Sequence, residues 1–307
     1  MPFLTIFTAP KPFTDAHISI IQRNAIQSWL QLGNDVDVLW VGEEDGLAEV
    51  AAEYGVKHLP DVARNEFGTP LVSSIFDLAR QHSASPLLAY VNADILLLPD
   101  FVEIARAVAA QVQKFLIVGR RWDLDIRQGL PFTSGWESAL SEIVRSQGEL
   151  HAPSGSDYFI FPRSIFQNIP DFAIGRAGWD NWMIYQGLKQ KWAVVDASES
   201  LMVIHQNHDY SHLPGGQMHY DLKETQINAA LGGGDAEYVH DPGRQLRIAR
   251  WAGAAGAPPA GASGAPPRAA GVFSPSTRPA LAAHQTPASV APQTGGAVEF
   301  LFGGSHL

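Results

Sequence analysis

The sequence predicts an α/β domain on a mostly parallel sheet with crossover helices. Short apolar runs of strand length alternate along the chain with segments of three-to-four-residue apolar periodicity. With 307 residues, 46% of them apolar, the chain can bury a sizeable core. A break in composition after Trp251 ends the pattern. Residues 252–307 are mainly Ala, Gly, Pro and Ser, hold eight of the 21 prolines, and carry charge only at Arg268, Arg278 and Glu299. That composition cannot offset its ordering entropy by burial. The expected organisation is a domain over 1–251 and a disordered tail over 252–307.

The elements follow in order. Leu4 to Thr8 reads as the first strand. Ile18, Ile21, Ala25 and Trp29 give residues 17–32 one buried helical face, and Gly33-Asn34 ends it. Strands are expected over 36–41 and 56–59, with a short helix over 47–54 between them. Thr69 is placed as N-cap and Pro70 as first residue of the next helix, with Leu71, Ile75 and Leu78 facing inward. Leu87-Leu88-Ala89-Tyr90-Val91 is the most apolar strand and runs into Asn92-Ala93-Asp94. A helix over 99–112 and a strand over 115–119 come next. Residues 120–157 carry little regular pattern and read as a long functional loop region. A strand over 158–161, a helix over 179–188 and strands over 192–195 and 201–204 complete the series.

Composition excludes several function classes. The chain has no cysteine, which removes disulfide scaffolds, zinc-thiolate folds, iron–sulfur centres and thiol catalysis. Its 21 basic against 31 acidic residues give a net charge of −10, the wrong sign for neutralising nucleic-acid phosphates. An acidic protein handling a phosphorylated ligand does so more naturally through a divalent cation. No Gly-x-Gly-x-x-Gly, P-loop or His-Glu-x-x-His is present, against dehydrogenase, P-loop ATPase and zincin protease. The N-terminal apolar run stops at Pro10-Lys11-Pro12 without a basic lead-in, and no stretch approaches the roughly 18 apolar residues of a membrane span. A soluble, cytoplasmic protein with no transmembrane segment is the default expectation.

Three constellations carry candidate chemistry. Asp94 follows a buried strand, where ligands of open α/β sheets bind, and its carboxylate suits Mg²⁺ or Mn²⁺ bridged to a diphosphate; such a tripeptide also serves as a turn. Ser154 to Arg163, followed by Gly175 to Trp182, offers glycines for close backbone approach and Trp179 as a ring face for a sugar. Asp180 can act there as general base or simply cap its helix, and Trp179 and Trp182 can equally be core residues. The third is a histidine cluster of His205, His208, His212 and His219, in which His205 closes a strand and suits metal coordination. His208, Asp209 and His212 can line the substrate side.

Together these pieces resemble, in running order, GT-A fold glycosyltransferases of the nucleotide-diphospho-sugar transferase superfamily. Such enzymes open with a nucleotide-binding strand, like Leu4 to Pro10. They place an Asp-x-Asp-type metal motif at a strand end, like Asn92-Ala93-Asp94, and continue with a glycine-led strand and short helix, as Gly155 to Phe166 resembles. A Gly-Trp-(Asp/Glu)-Asp segment then starts a helix, similar to Gly178-Trp179-Asp180-Asn181, and a metal-binding His follows, as His205 does. Asn92 replaces the first Asp of the metal motif, and Asn181 the second acid of the Gly-Trp segment.

The resemblance implies a single GT-A (Rossmann-like) domain with a mixed, mainly parallel sheet flanked by helices. It implies Mn²⁺ or Mg²⁺ on Asp94 and His205, Asp180 as base, a nucleotide-sugar donor and a carbohydrate or other hydroxyl acceptor. Donor contacts fall on Thr8, Ala9, Pro10, Asn92, Ala93, Gly155, Ser156, Asp157 and Trp179. Glu66, just ahead of a helix N-terminus, and Arg120 and Arg121, after a strand, are further candidates; the arginines fit phosphate oxygens or a balance with Asp123 and Asp125 equally well. Competing readings are a sugar nucleotidyltransferase, whose glycine-rich, lysine-bearing loop Ala9-Pro10-Lys11-Pro12-Phe13 does not supply, and a His/Asp metal-dependent hydrolase centred on residues 205–219. A non-enzymatic carbohydrate-binding module using the eight tryptophans is the remaining alternative.

Overall fold

The first apolar run, β1 (Leu4–Thr8), is buried at every residue. The computed structural model describes residues 1–152, 156–208 and 222–233 and the backbone of 249–250. After β1 come α1 (Ala16–Leu30), β2 (Val36–Val41), α2 (Leu47–Tyr54), β3 (Lys57–Leu59), α3 (Val72–His82), β4 (Leu87–Val91) and β5 (Ile95–Leu96). Next are α4 (Asp100–Ala109), β6 (Phe115–Val118), β7 (Trp122–Leu124), α5 (Trp136–Gln147), β8 (Glu149–Leu150) and β9 (Tyr158–Pro162). The series ends with α6 (Trp179–Lys189), β10 (Ala193–Asp196), β11 (Ile204–Gln206), α7 (Lys223–Leu231) and β12 (Ala249–Arg250).

Among the described residues the main sheet has eight strands in the order β12-β10-β6-β9-β4-β1-β2-β3. Its pairs are parallel except those of β9, which runs antiparallel to both β4 and β6. This is the mixed, mainly parallel α/β sheet that was expected. Helices cover both faces, so the central strands β1, β4, β6 and β9 are buried at every residue instead of alternating. Leu4 and Ile6 pack with Ala25, Ile26 and Trp29 of α1 and Phe101 and Ala105 of α4. Phe7, Leu39 and Val41 pack oppositely with Ile75 and Phe76 of α3 and Trp182 and Met183 of α6. Each such large side chain contributes about 1.5–3 kcal/mol by leaving water, so both layers matter to the fold.

A smaller sheet, β5-β11-β7-β8, grows from the chain beyond the ends of β4 and β6. Trp136, Leu140 and Val144 of α5 pack against Leu96, Leu124 and Ile204 of this sheet. Segment 120–157 therefore differs from the expected loop: it holds β7, α5 and β8. The helix shows i, i+4, i+8 apolar spacing, but strands of two or three residues carry no readable period.

Two boundaries also move. α3 begins at Val72, with an extended Leu71 before it and no side-chain cap. Pro70 and Leu71 instead bridge to Arg64 and Ala173, and the Thr69 N–H donates to Asn65 Oδ1 at 3.0 Å, so Thr69 is not the helix cap. The last expected strand lies at 204–206, because Leu201 closes a turn through its N–H to Ala197 O at 2.9 Å. The expected tail lies outside the described residues, and among those described no helix is long and apolar enough to cross a membrane.

Candidate active site

Strand register assembles the site at the carboxyl ends of β4 and β6. Asn92 prolongs the β4–β9 ladder: its N–H donates to Asp157 O at 2.8 Å and its Nδ2 to Asp157 Oδ1 at 2.7 Å. Asp94 directly precedes Ile95, which pairs with His205 across β5 and β11. His205 pairs in turn with Asp123 across β11 and β7. Positions more than a hundred residues apart are thus neighbours because three short strands share hydrogen bonds.

Asp94 is 7% exposed. Its Oδ2 lies 3.1 Å from His208 Nε2 and 3.5 Å from Lys11 Nζ. Its Oδ1 is buried without a hydrogen-bond partner. One ligand atom from each of Asp94, His205 and His208 lies within 4.8 Å of the others. Burial pushes the Asp94 carboxyl up, but Lys11 and the two imidazoles outweigh it and hold the group well below the usual carboxylate range. A buried carboxylate oxygen with nothing to accept calls for a missing partner. One carboxylate and two imidazoles are a fitting donor set for a divalent cation such as Mn²⁺.

Behind these groups runs a chain of alternating charge. Asp123 Oδ1 accepts from Arg121 Nε at 2.9 Å, and Oδ2 lies 2.6 Å from His151 Nδ1. Asp123 Oδ1 also lies 3.1 Å from His205 Nδ1, off the line of a directed hydrogen bond. Arg121 Nη1 donates to Asp157 Oδ2 at 2.6 Å. Burial alone would raise Asp123; His205, Arg121 and His151 instead lower it. A carboxylate behind a candidate ligand histidine restricts the ring's orientation.

Helix α1 anchors the arrangement from below. Gln206, fully buried on β11, donates to Ile21 O at 2.8 Å and to Asp94 O at 3.1 Å, and accepts from Asn24 Nδ2 at 2.9 Å. Gln22 grips the backbone of Lys11 in both directions, accepting its N–H at 2.7 Å and donating to its carbonyl at 2.9 Å.

The other expected site residues take varied places. Thr8 is fully buried, its Oγ1 beside Tyr90 without a directed hydrogen bond. Ala9 packs at the edge of the core and Pro10 is buried. Ala93 and Ser156 are half-buried. Tyr90 donates to Asn92 Oδ1 at 3.0 Å. Trp179, expected to offer a ring to a sugar, is 5% exposed and packs on Tyr90, Phe159 and Phe76, so its ring belongs to the core. Arg121 takes the second of its two expected partners, Asp123, and adds Asp157, and Arg120 holds His151 O at 2.6 Å and Leu150 O at 3.2 Å. Glu66 is exposed, 3.9 Å from Lys223 of α7, and joins none of these contacts. His208, expected on the acceptor side, stands against Asp94 instead. Gly155, Asp209, His212 and His219 lie outside the described residues.

Asp180 starts α6 after Gly178, whose φ of 111° is one that side-chain-bearing residues rarely adopt. Burial raises its carboxyl pKa, opposed by the backbone N–H groups of Asn181 and Gly178; the nearby Asp157 charge raises it further. An elevated carboxylate pKa makes a stronger base. The sequence reading missed Lys11, Asp123 and His151. Lys11 follows β1 at the ligand-binding edge, a signal that was available; the other two depend on strand pairing.

No family model matches the sequence, and no curated protein does either. Among solved structures the chain is similar to Staphylococcus aureus TarS (residues 1–349), at 10% identity and a TM-score of 0.45, over 67% of this chain and 60% of that one. It is also similar to the mannosyltransferase PcManGT of Pyrobaculum calidifontis in complex with GDP-Man and Mn²⁺, at 10% identity and TM-score 0.46, over 68% of this chain and 58% of that one. A third is glucosyl-3-phosphoglycerate synthase of Mycobacterium tuberculosis with Mn²⁺, UDP and phosphoglyceric acid, at 14% identity and TM-score 0.47, over 76% and 79%. The chain thus spans about three fifths of the length of the first two.

Proposed function

We propose that this chain is a divalent-cation-assisted glycosyltransferase of the GT-A type, moving a sugar from a nucleotide-diphospho-sugar to a hydroxyl acceptor. The convergence of Asp94, His205 and His208 at the end of β4, with one Asp94 oxygen unpartnered, carries this reading. Those three residues would hold Mn²⁺ or Mg²⁺. When bound, the cation supplies Lewis-acid stabilisation of a departing diphosphate.

The remaining roles fall to the chain's own groups. Asp180 accepts the proton of the acceptor hydroxyl as that oxygen bonds to the anomeric carbon and the bond to the diphosphate breaks. Lys11 adds positive charge on the diphosphate side. Asp123 and Arg121 hold the His205 side of the site in place.

The test is a thermal-shift panel of UDP- and GDP-sugars with and without Mn²⁺. A ligand at a hundredfold excess over its Kd stabilises by about 2.7 kcal/mol, which for a domain of this size raises Tm by roughly 5–10 °C. The shift is expected to require Mn²⁺ and to disappear in Asp94→Ala. No shift with any nucleotide sugar sinks the assignment.

A further inference from the structure

We propose that the Lys11 ammonium is the resident occupant of the cation position, and that a divalent cation enters by displacing it onto the donor diphosphate. This rests on the cation reading of Asp94, His205 and His208. Lys11 Nζ lies 2.9 Å from His208 Nε2 and 3.5 Å from Asp94 Oδ2, the two atoms that themselves stand 3.1 Å apart.

The hydrogen-bond roles of the trio put the ammonium where a cation would sit. An ammonium only donates, so facing Lys11 the Nε2 atom must present its lone pair. It then has no proton for Asp94, and the ammonium, with three N–H groups, donates to both Nε2 and Asp94 Oδ2. The alternative tautomer, Nε2–H toward Asp94, turns a donor against the ammonium. The first arrangement is the one the distances fit: one ammonium serves both Nε2 and Oδ2, as a metal ion at the same point would. A divalent cation in place of Nζ would take the same two lone pairs, of Nε2 and Oδ2, as ligands. Their separation matches the edge of about 3 Å between adjacent ligands of an octahedron with bonds near 2.1 Å.

The lysine is built to leave. Its backbone is clamped in both directions by Gln22, itself 2% exposed, so the stem is fixed. Its side chain is 30% exposed, against 10% for Asp94 and 10% for His208, so the head has a path outward. A diphosphate arriving at the edge attracts the ammonium and vacates the position for the cation. Metal and nucleotide binding are thereby coupled, and the free protein guards its own site against adventitious metal.

The experiment measures Mn²⁺ binding to the full chain by electron paramagnetic resonance, with and without UDP, for wild type, Lys11→Met and Asp94→Asn. Lys11→Met is expected to bind Mn²⁺ at least tenfold more tightly than wild type without nucleotide, and to lose most of the tightening that UDP brings to wild type. Equal Mn²⁺ affinity in wild type and Lys11→Met, abolished in both by adding Asp94→Asn, overturns the displacement and keeps the cation site. Absence of Mn²⁺ binding in every variant, with or without UDP, overturns the cation site and the displacement with it.

Discussion

In the proposed reaction Asp180 is the base, and its surroundings suit it to accept a proton. Burial lifts its pKa, and the start of α6 fixes its position through the Gly178 N–H, which donates to Oδ1 at 3.3 Å. Asparagine preserves that acceptor and nearly the same volume while removing the base. Asp180→Asn is therefore expected to lower kcat by about 10²–10⁴-fold with donor KM little changed, measured by steady-state kinetics beside a Tm that stays at the wild-type value. A fall in Tm with proportionate loss of active protein would mark the residue as structural. Candidates of this kind can be picked out in the sequence where a strand end or a helix start marks them, as with Asp94, His205 and Asp180. The role of Asp123 and the true place of His208 cannot, since each depends on a partner far away in the chain, His205 for Asp123 and Asp94 for His208; Lys11 was marked by its place after β1, but its partner Asp94 was not.

At the scale of elements, the start of α4 shows a second buried carboxylate put to a different use. Asp100 Oδ2 accepts the Met202 N–H at 3.0 Å, tying the helix to the segment before β11, while Oδ1 is buried without a partner. Burial raises its pKa from 3.8 to about 6 against the pull of the Met202 and Phe101 N–H groups. The folded state therefore holds the proton more tightly than the unfolded one. The stability this contributes is complete below the unfolded value and is lost as pH rises through about 6. Asp100→Asn is expected to stabilise the protein at pH 8 by about 1–3 kcal/mol and to give no gain at pH 4, read from urea midpoints at the two values. Elements whose apolar pattern is long, such as β1, α1 and β4, were readable from composition and spacing alone. Those of the small sheet were not, because β5 and β8 have two residues each and exist only through their partners.

For the whole molecule, the composition break after Trp251 remains the basis for a boundary. Residues 1–251 carry −11 once the tail's +1 is removed from −10. We propose that 252–307 adds nothing to the folded domain, so a chain ending at Trp251 is expected to keep the full-length Tm and the same nucleotide-sugar response in the thermal-shift panel. A lowered Tm would assign the tail a place in the fold.

The site is knit from distant parts of the chain. Lys11 and His208, in contact at 2.9 Å, are 197 residues apart, and the ring of contacts closes only after β11 has found both β5 and β7. Loop closure over such spans comes late, since distant pairings must first overcome their entropy. A metal ion held there would accordingly act as a latch on the finished molecule, slowing its unfolding while leaving the rate of refolding untouched.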